Sequence, residues 1–447
     1  MDWLITLLGV FVLAVVSLLL LRPTRYSAAK NDTKRIQIVV LGDIGRSPRM
    51  QYHAMSLARL GYAVDIIGYK ESDIHPALDS DNRVHIVPVP PWPRKWQTDD
   101  RRWFVLMAPL KVIWQTWGLF AAMSYETRPA RFVLVQNPPS IPTLLVARVA
   151  CILRNTAFCI DWHNFGHSIL ALKLGQSHPL VRISQFYEYA VTKHAPINFT
   201  VTAAMARVLR EKHGCTGVIP LYDRPPAHFQ PCASATARRE GFLSLARQQN
   251  WPIDFPSSTP PKVIVSSTSW TPDEDFSLLL SALSSYSTAA KTTSLPPVIA
   301  IITGKGPQKD LYLDKIAKMG KDGQLSHVRI LTAWLSIEDY ASLLSYADLG
   351  VSLHTSSSGV DLPMKVVDMF GAGLPVAGWD RFEAWSELVE EGVNGRGFGS
   401  AEALGELLAE LMSDEGKQLQ RLREGAEKET QRRWDEEWDE KAGRVFG

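Results

Sequence analysis

Short apolar runs, each closed by a small or polar turn and most followed by a helical pattern, constrain this chain more than any other feature. They fall in two sets. The first comprises Ile36–Leu41, Val64–Gly68, Val84–Val89, Arg131–Val135, Phe158–Ile160 and Phe199–Val201. The second comprises Val263–Val265, Val298–Ile302, Val328–Leu331 and Leu349–Leu353. Strands covered by helices on both faces of a parallel sheet read as continuous apolar runs, whereas half-exposed strands alternate. Between the sets the composition shifts. Pro225-Pro226, Pro231, Pro252, Pro256 and Pro260-Pro261 punctuate a charged helical stretch from Thr236 to Gln249, which marks a junction. The expected architecture is α/β: two doubly wound Rossmann-like domains, 33–222 and 261–447, with a cleft between them and a linker at 223–260. A length of 447 residues accommodates this, and 46% apolar content excludes a disordered chain. A net charge of +2 gives no argument for nucleic acid as a partner.

Ahead of the first strand, Trp3 to Leu21 is almost wholly apolar and uncharged. Spanning a bilayer takes about 20 such residues. A cleaved signal peptide usually opens on a positive segment, and here only Met1-Asp2 precedes the run. Arg22, Arg25, Lys30, Lys34 and Arg35 follow it, so residues 1–22 are expected to be a single transmembrane anchor with everything after Arg22 cytosolic. In that topology the triplets Asn31-Asp32-Thr33 and Asn198-Phe199-Thr200 stay unglycosylated. A second apolar stretch, Trp103 to Phe120, is interrupted by Pro109 and Lys111. It reads equally as a helix pressed on the membrane face or as an ordinary buried helix. Cys151, Cys159, Cys215 and Cys232 have neither metal-ligand nor secreted-disulfide spacing.

The loops at the strand ends carry the chemistry. Gly42-Asp43-Ile44-Gly45-Arg46-Ser47-Pro48-Arg49 lacks the dinucleotide glycine pattern, but Ser47 and Pro48 suit a helix start. Arg46 and Arg49 there could grip a phosphorylated acceptor or merely form surface ion pairs. Ser140 is placed to cap the helix after the fourth run. Asp161-Trp162-His163-Asn164 closes the fifth, where parallel sheets bind ligands. His163 suits a general base, with Asp161 orienting it or acting as the base itself; a loop of capping residues is the plainer reading. In the second half, Ser356 to Val376 reads as loop, helix, stop and strand, with Pro363 as the first helical residue. A helix start behind a Ser/Gly loop seats a phosphate, and Lys365 lies in its first turn. Asp361 and Asp368, seven apart, would share one helix face. A capped surface helix is the alternative.

The order Gly304-Lys305-Gly306-Pro307, Trp334, Ser356–Pro375, Glu387-Leu388-Val389 and Gly392-Val393-Asn394-Gly395 resembles the nucleotide-sugar domain of GT-B glycosyltransferases. More narrowly, Leu41–Ala54, Gln136–Pro142, Asp161–Asn164 and Ser358–Gly373 resemble the eukaryotic chitobiosyldiphosphodolichol β-mannosyltransferase family. The resemblance implies a GT-B fold and inverting transfer of mannose from GDP-mannose to GlcNAc₂-diphosphodolichol, on the cytosolic face of the endoplasmic reticulum membrane. Other dolichol-pathway mannosyltransferases are implied as partners. It implies His163 or Asp161 as base. Gly304, Lys305, Trp334, Ser358, Gly359, Asp361, Lys365 and Asp368 would contact the donor, with Asp368 on the ribose. Gly42, Gly45, Arg46, Arg49 and Asn164 would contact the acceptor. No tightly bound cofactor is implied, although a loosely held Mg²⁺ on the diphosphate would leave little trace in sequence. Two departures stand out. Retaining relatives carry an Arg and a Lys after the first strand of the second domain, where this chain has Ser266–Trp270 with Asp273, Glu274 and Asp275. Their paired glutamates are replaced by Asp361 and Asp368, so the role of Asp361 stays open. A retaining lipid-linked α-mannosyltransferase and a non-enzymatic membrane scaffold are the competing readings.

Overall fold

The computed structural model describes residues 22–31, 34–93, 96, 101–255, 259–271, 274–413 and 417–447, with the backbone alone over 101–106. The chain divides into two compact units. The first runs to Thr200 and takes back Val208–Ile219 and Val445–Gly447; the second holds Val201–Arg207 and Pro220–Arg444.

The first unit is built on β1 (Arg35–Asp43), β2 (Ala63–Tyr69), β3 (Val84–Pro88), β4 (Phe132–Asn137), β5 (Ala157–Trp162), β6 (Ile197–Thr200) and β7 (Val218–Pro220). Its sheet has the order β3-β2-β1-β4-β5-β6-β7. The pairs from β1 to β6 are parallel. Ile36, Ile38, Val39, Val40, Leu134 and Val135 are fully buried in its centre. Each such side chain contributes about 1.5–3 kcal/mol on leaving water, which is why an unbroken apolar run is stable only here. The strand order reverses between β1 and β4, and the loops after these two strands flank the point where doubly wound sheets bind ligands.

The second unit repeats the plan with β8 (Lys262–Ser267), β9 (Val298–Thr303), β10 (Val328–Ala333), β11 (Leu349–Ser352), β12 (Val376–Trp379) and β13 (Gly395–Phe398). The order is β10-β9-β8-β11-β12-β13, with parallel pairing. Its switch point lies between β8 and β11. Apolar layers cover both faces, one around Leu279, Leu283 and Leu408, the other around Phe370, Leu343 and Leu374.

Several local expectations are corrected. The stretch 223–260 contains a helix, Ala235–Gln248, that belongs to the second unit, and its Phe242 and Leu245 join that unit's core. The final residues return to the first unit, where the Tyr62 hydroxyl donates to the Phe446 carbonyl at 2.5 Å. Arg101–Ser124 is one helix that runs through Pro109. The anchor expected over 1–22 lies, but for Arg22, outside the described residues; among those described, no helix is long and apolar enough to cross a membrane. Ser47 makes no side-chain cap and instead donates to the Asp43 carbonyl. Ser140 caps nothing either, because its helix begins at Thr143 and its hydroxyl is taken by Glu188.

Candidate active site

In the first unit the loops after β1, β4 and β5 converge on buried carboxylates. Asp161, at the end of β5, is fully buried. Arg49 clamps it with two bonds, Nε to Oδ2 at 2.8 Å and Nη2 to Oδ1 at 2.9 Å. His163 Nε2 lies 2.8 Å from Oδ2, and His53 Nε2 lies 3.4 Å from the same oxygen. Burial alone would raise the Asp161 pKa, but Arg49, then His163 and His53, hold it well below the usual carboxylate range. Burial also dominates at His53 and keeps that ring below its ordinary value despite Asp161.

This placement changes two expectations. Arg49 is not at a surface phosphate: it is buried and bound to Asp161, 112 residues away in the chain. Asp161 has both oxygens engaged, Oδ1 by Arg49 and Oδ2 by Arg49 and His163, which is the arrangement of a group that orients the imidazole. The His163 side chain is a quarter exposed. Its Nε2–H is directed at an ionised carboxylate, which leaves the lone pair on Nδ1. Arg46 does remain exposed, 3.5 Å from Asp43. Asp43 gathers the amides of Gly45, Glu71 and Ser72 and so shapes the loop. At Gly45 a Cβ would fall 2.4 Å from the Asp73 carbonyl, so no larger residue fits. Gly42 sits within β1, where a Cβ meets only an ordinary contact. Asn164 is part of the loop's own framework: its Oδ1 accepts from the Phe165 amide at 2.8 Å and from the Ser168 hydroxyl.

In the second unit the loops after β8, β9 and β11 form the matching edge. Gly304 and Gly306 pass so close to the Ser266–Trp270 turn that a Cβ on either would lie 1.8 Å from the Thr268 or Ser269 carbonyl oxygen. Lys305 then lies over the exposed Trp334 ring, 4.1 Å from its centre. Lys365 pairs with Glu274. Glu274 is buried and also accepts from the Thr268 hydroxyl at 2.8 Å and the Ser269 amide at 2.6 Å, so it locks the turn to the helix start. An ammonium has three donors, and this pair engages one of them.

The helix here is Met364–Gly371, with Pro363 just outside it. Asp361 therefore precedes the helix and does not share a helix face with Asp368. It is buried, 3.0 Å from His354 Nε2, and accepts from Ser356 and Ser358. Burial would raise its pKa, but the His354 and Ser356 bonds lower it. Ser358 and the positive-φ Gly359 complete the turn, and the Gly359 carbonyl accepts from the Glu383 amide. Asp368, one turn into the helix, is pushed up to about 8 by burial and then by Asp223. Glu387, part of the phrase that carried the resemblance, accepts from the Ala203 and Ala204 amides and the Tyr222 hydroxyl. Among the described residues no cluster of three or more His, Cys, Asp or Glu is arranged for a metal ion.

Sequence reasoning missed Glu188, His53, His354 and Glu274. Two had a signal. Glu188 shares a helical stripe with the buried Val181, Ser184 and Thr192, and His53 shares one with Met50, Ala54 and Leu57. A titratable residue on an inward stripe needs a partner.

Residues 45–220 match the family model for a glycosyl transferase 4-like domain. The chitobiosyldiphosphodolichol β-mannosyltransferase of Arthroderma benhamiae is 48% identical, the alignment covering 99% of each chain. The chain belongs to that family. The mouse protein of the same name is 38% identical over 91% of this chain and 87% of its own. An Arabidopsis thaliana relative, 39% identical over 91% of this chain and 96% of its own, is named UDP-glycosyltransferase TURAN. Among solved structures, the sucrose-phosphate synthase of Thermosynechococcus elongatus superposes with a TM-score of 0.67 over 92% of this chain and 98% of its own. At 14% identity that likeness speaks for the fold alone: two parallel-sheet Rossmann-like units of the GT-B kind.

Proposed function

We propose that this glycosyltransferase moves mannose from GDP-mannose to O4 of the second GlcNAc of GlcNAc₂-diphosphodolichol, with inversion to a β linkage. The observation that carries the reading is the near-full-length identity to enzymes named for this reaction, joined to an Asp161-oriented imidazole at a strand end. Inversion needs one displacement and one base. His163 is that base, taking the acceptor proton on Nδ1 while Asp161 meets the charge that develops on the ring. In the second unit Lys365 and the opening turn of Met364–Gly371 receive the diphosphate, and Asp368 takes the ribose. Such preset positive ends stabilise the departing GDP as its charge grows. Lys305 is drawn from its place over Trp334, a contact worth about 0.5–1 kcal/mol at an exposed site.

The same reading places the enzyme on the endoplasmic reticulum membrane, anchored by residues 1–22 with both units in the cytosol. Apolar side chains on the outer face of one helix support it. Pro179–Thr192 buries Ser184, Glu188 and Thr192 and exposes Leu180, Ile183 and Phe186, the last to 75%. The neighbouring helix Thr143–Arg154 exposes Leu145, Val149 and Ile152, and Tyr187 of the first helix donates to its Pro142 carbonyl. The chain that leaves the N-terminal apolar run reaches the end of this second helix, where the Tyr26 amide donates to the Arg154 carbonyl at 2.7 Å. Apolar side chains turned outward in this number suit a lipid surface.

Purified protein incubated with GDP-mannose and a GlcNAc₂-diphosphate lipid is expected to yield a β-linked mannose, and His163→Gln to slow turnover by about 10²–10⁴-fold. An α-linked product, or transfer only from a UDP-sugar, would overturn the reading.

A further inference from the structure

Glu188 sits within Pro179–Thr192 with no exposure, and its carboxylate collects donors from two chain segments. Oε1 accepts from the Ser140 hydroxyl at 2.5 Å, the Asn137 side-chain amide at 3.2 Å and the Gly166 amide at 2.8 Å. Oε2 accepts from the His167 amide at 3.1 Å and bonds His167 Nδ1. Among the described residues no lysine or arginine pairs with it. Asn137 ends β4 and Ser140 lies in the loop after it, while Gly166 and His167 open the helix Gly166–Leu174 that follows β5. A single buried oxygen therefore joins both.

The link continues to His163. The His163 amide donates to the Asn137 carbonyl at 2.8 Å, and the Asn137 side chain donates to Glu188 and to the Asn164 carbonyl at 3.2 Å. Asn137 Oδ1 is buried with no hydrogen bond among the described residues, so its bonds through Nδ2 alone fix how this side chain lies. The packing leaves no slack. A Cβ on Gly166 would fall 2.2 Å from the Ser140 hydroxyl and 3.2 Å from Glu188 Oε1.

We propose that Glu188 is a positioning residue for the acceptor reaction: it binds the Asn137–Ser140 and Gly166–His167 segments into one surface and, through Asn137, sets where His163 stands. A carboxylate serves here where an amide would not. All five groups aimed at it are donors or can be, and a glutamine would turn two N–H bonds of its own against them. An apolar pair would fill the space at less desolvation cost, so burial of this charge is explained by what it holds in place.

The inference rests on the mannosyltransferase reading, and the test separates the two. Glu188→Gln is compared with wild type in three measurements: kinetics with each substrate, GDP binding, and amide hydrogen exchange over 136–141 and 162–168. The expected result is a fall of about 10²-fold in kcat, as for a displacement near 1 Å. The KM for GDP-mannose and the affinity for GDP should stay within about twofold. Exchange in both segments, and not in the second unit, should accelerate. Ser140→Ala and His167→Phe each remove one donor and should give smaller losses of the same kind, which keeps the test alive where Glu188→Gln does not fold. Wild-type acceptor kinetics and exchange in these variants would overturn the proposal. So would an equal loss of GDP binding and turnover, which marks general destabilisation. Absence of mannose transfer by the wild-type enzyme would sink the functional reading instead, and the exchange measurement would still decide on Glu188.

Discussion

Asp161 stands at the end of a strand in the first unit and Lys365 at the start of a helix in the second, and the fold treats their charges differently. Asp161 is enclosed, with a bidentate arginine and two imidazoles around it. Glu188, in the same unit, is closed off by five donors. Lys365 leans on a single glutamate and keeps 28% of its side chain in solvent, while Asp368 nearby faces another carboxylate. In the first unit the Asp161 charge is compensated from within, by buried Arg49. In the second, Lys365 keeps part of its side chain open to solvent, as the proposed diphosphate seat requires. An acceptor sugar brings hydroxyls and needs a rigid base; a nucleotide donor brings anions and needs accessible cations.

The widest gap between the units should appear on removing Arg49. Arg49→Met leaves Asp161 buried without its cation, and losing one partner of a buried pair costs about 3–5 kcal/mol. Urea unfolding should report that loss, with turnover falling alongside it; a cost under about 1 kcal/mol would mean that the first unit is not held from within. Next in size is Lys365→Ala. A charge-assisted bond is worth about 1.5–3 kcal/mol, so KM for GDP-mannose should rise by about 10–100-fold. The acceptor KM should barely move, although the unfolding midpoint should fall because buried Glu274 loses its cation; an acceptor effect of similar size would erase the division of labour.

A third effect, read as pH dependence, concerns Asp368. Its folded pKa of about 8 lies above the ordinary 3.8, so between those values the folded state binds the extra proton. Its contribution to stability is therefore present below pH 4 and lost as pH rises toward about 8. Asp368→Asn should flatten the fall in stability over that window and leave the low-pH value unchanged. A wild-type slope in the variant would place the titration on another group.

Most of the architecture was legible because strands covered on both faces need unbroken apolar runs, and 36–41, 64–68, 298–302 and 349–353 have them. Loop positions followed, and with them the places of His163 and Asp161 at a strand end and of Lys365 at a helix start. What stayed hidden was pairing at long range. Arg49 and Asp161 lie on different elements, and nothing local says that they meet. Asp361 was misplaced because helix spacing was extended back across Pro363, whereas the helix opens only at Met364. Ser140 was read as a cap because local bonding is the default for a serine ahead of a helix, while Glu188, 48 residues on, outbids the helix for its hydroxyl.

The helix Pro179–Thr192 carries Phe186 on one side and Glu188 on the other. Two residues along a helix amount to about 3 Å of rise, so whatever seats Phe186 also sets the height of the carboxylate behind it. Seen as a machine part, this helix is a keel: one side takes its level from the medium outside, the other carries the working deck. On the proposed membrane placement, a chain lifted off by detergent would keep the deck but lose the waterline, and a lipid-borne acceptor would then be met at a height that nothing any longer enforces.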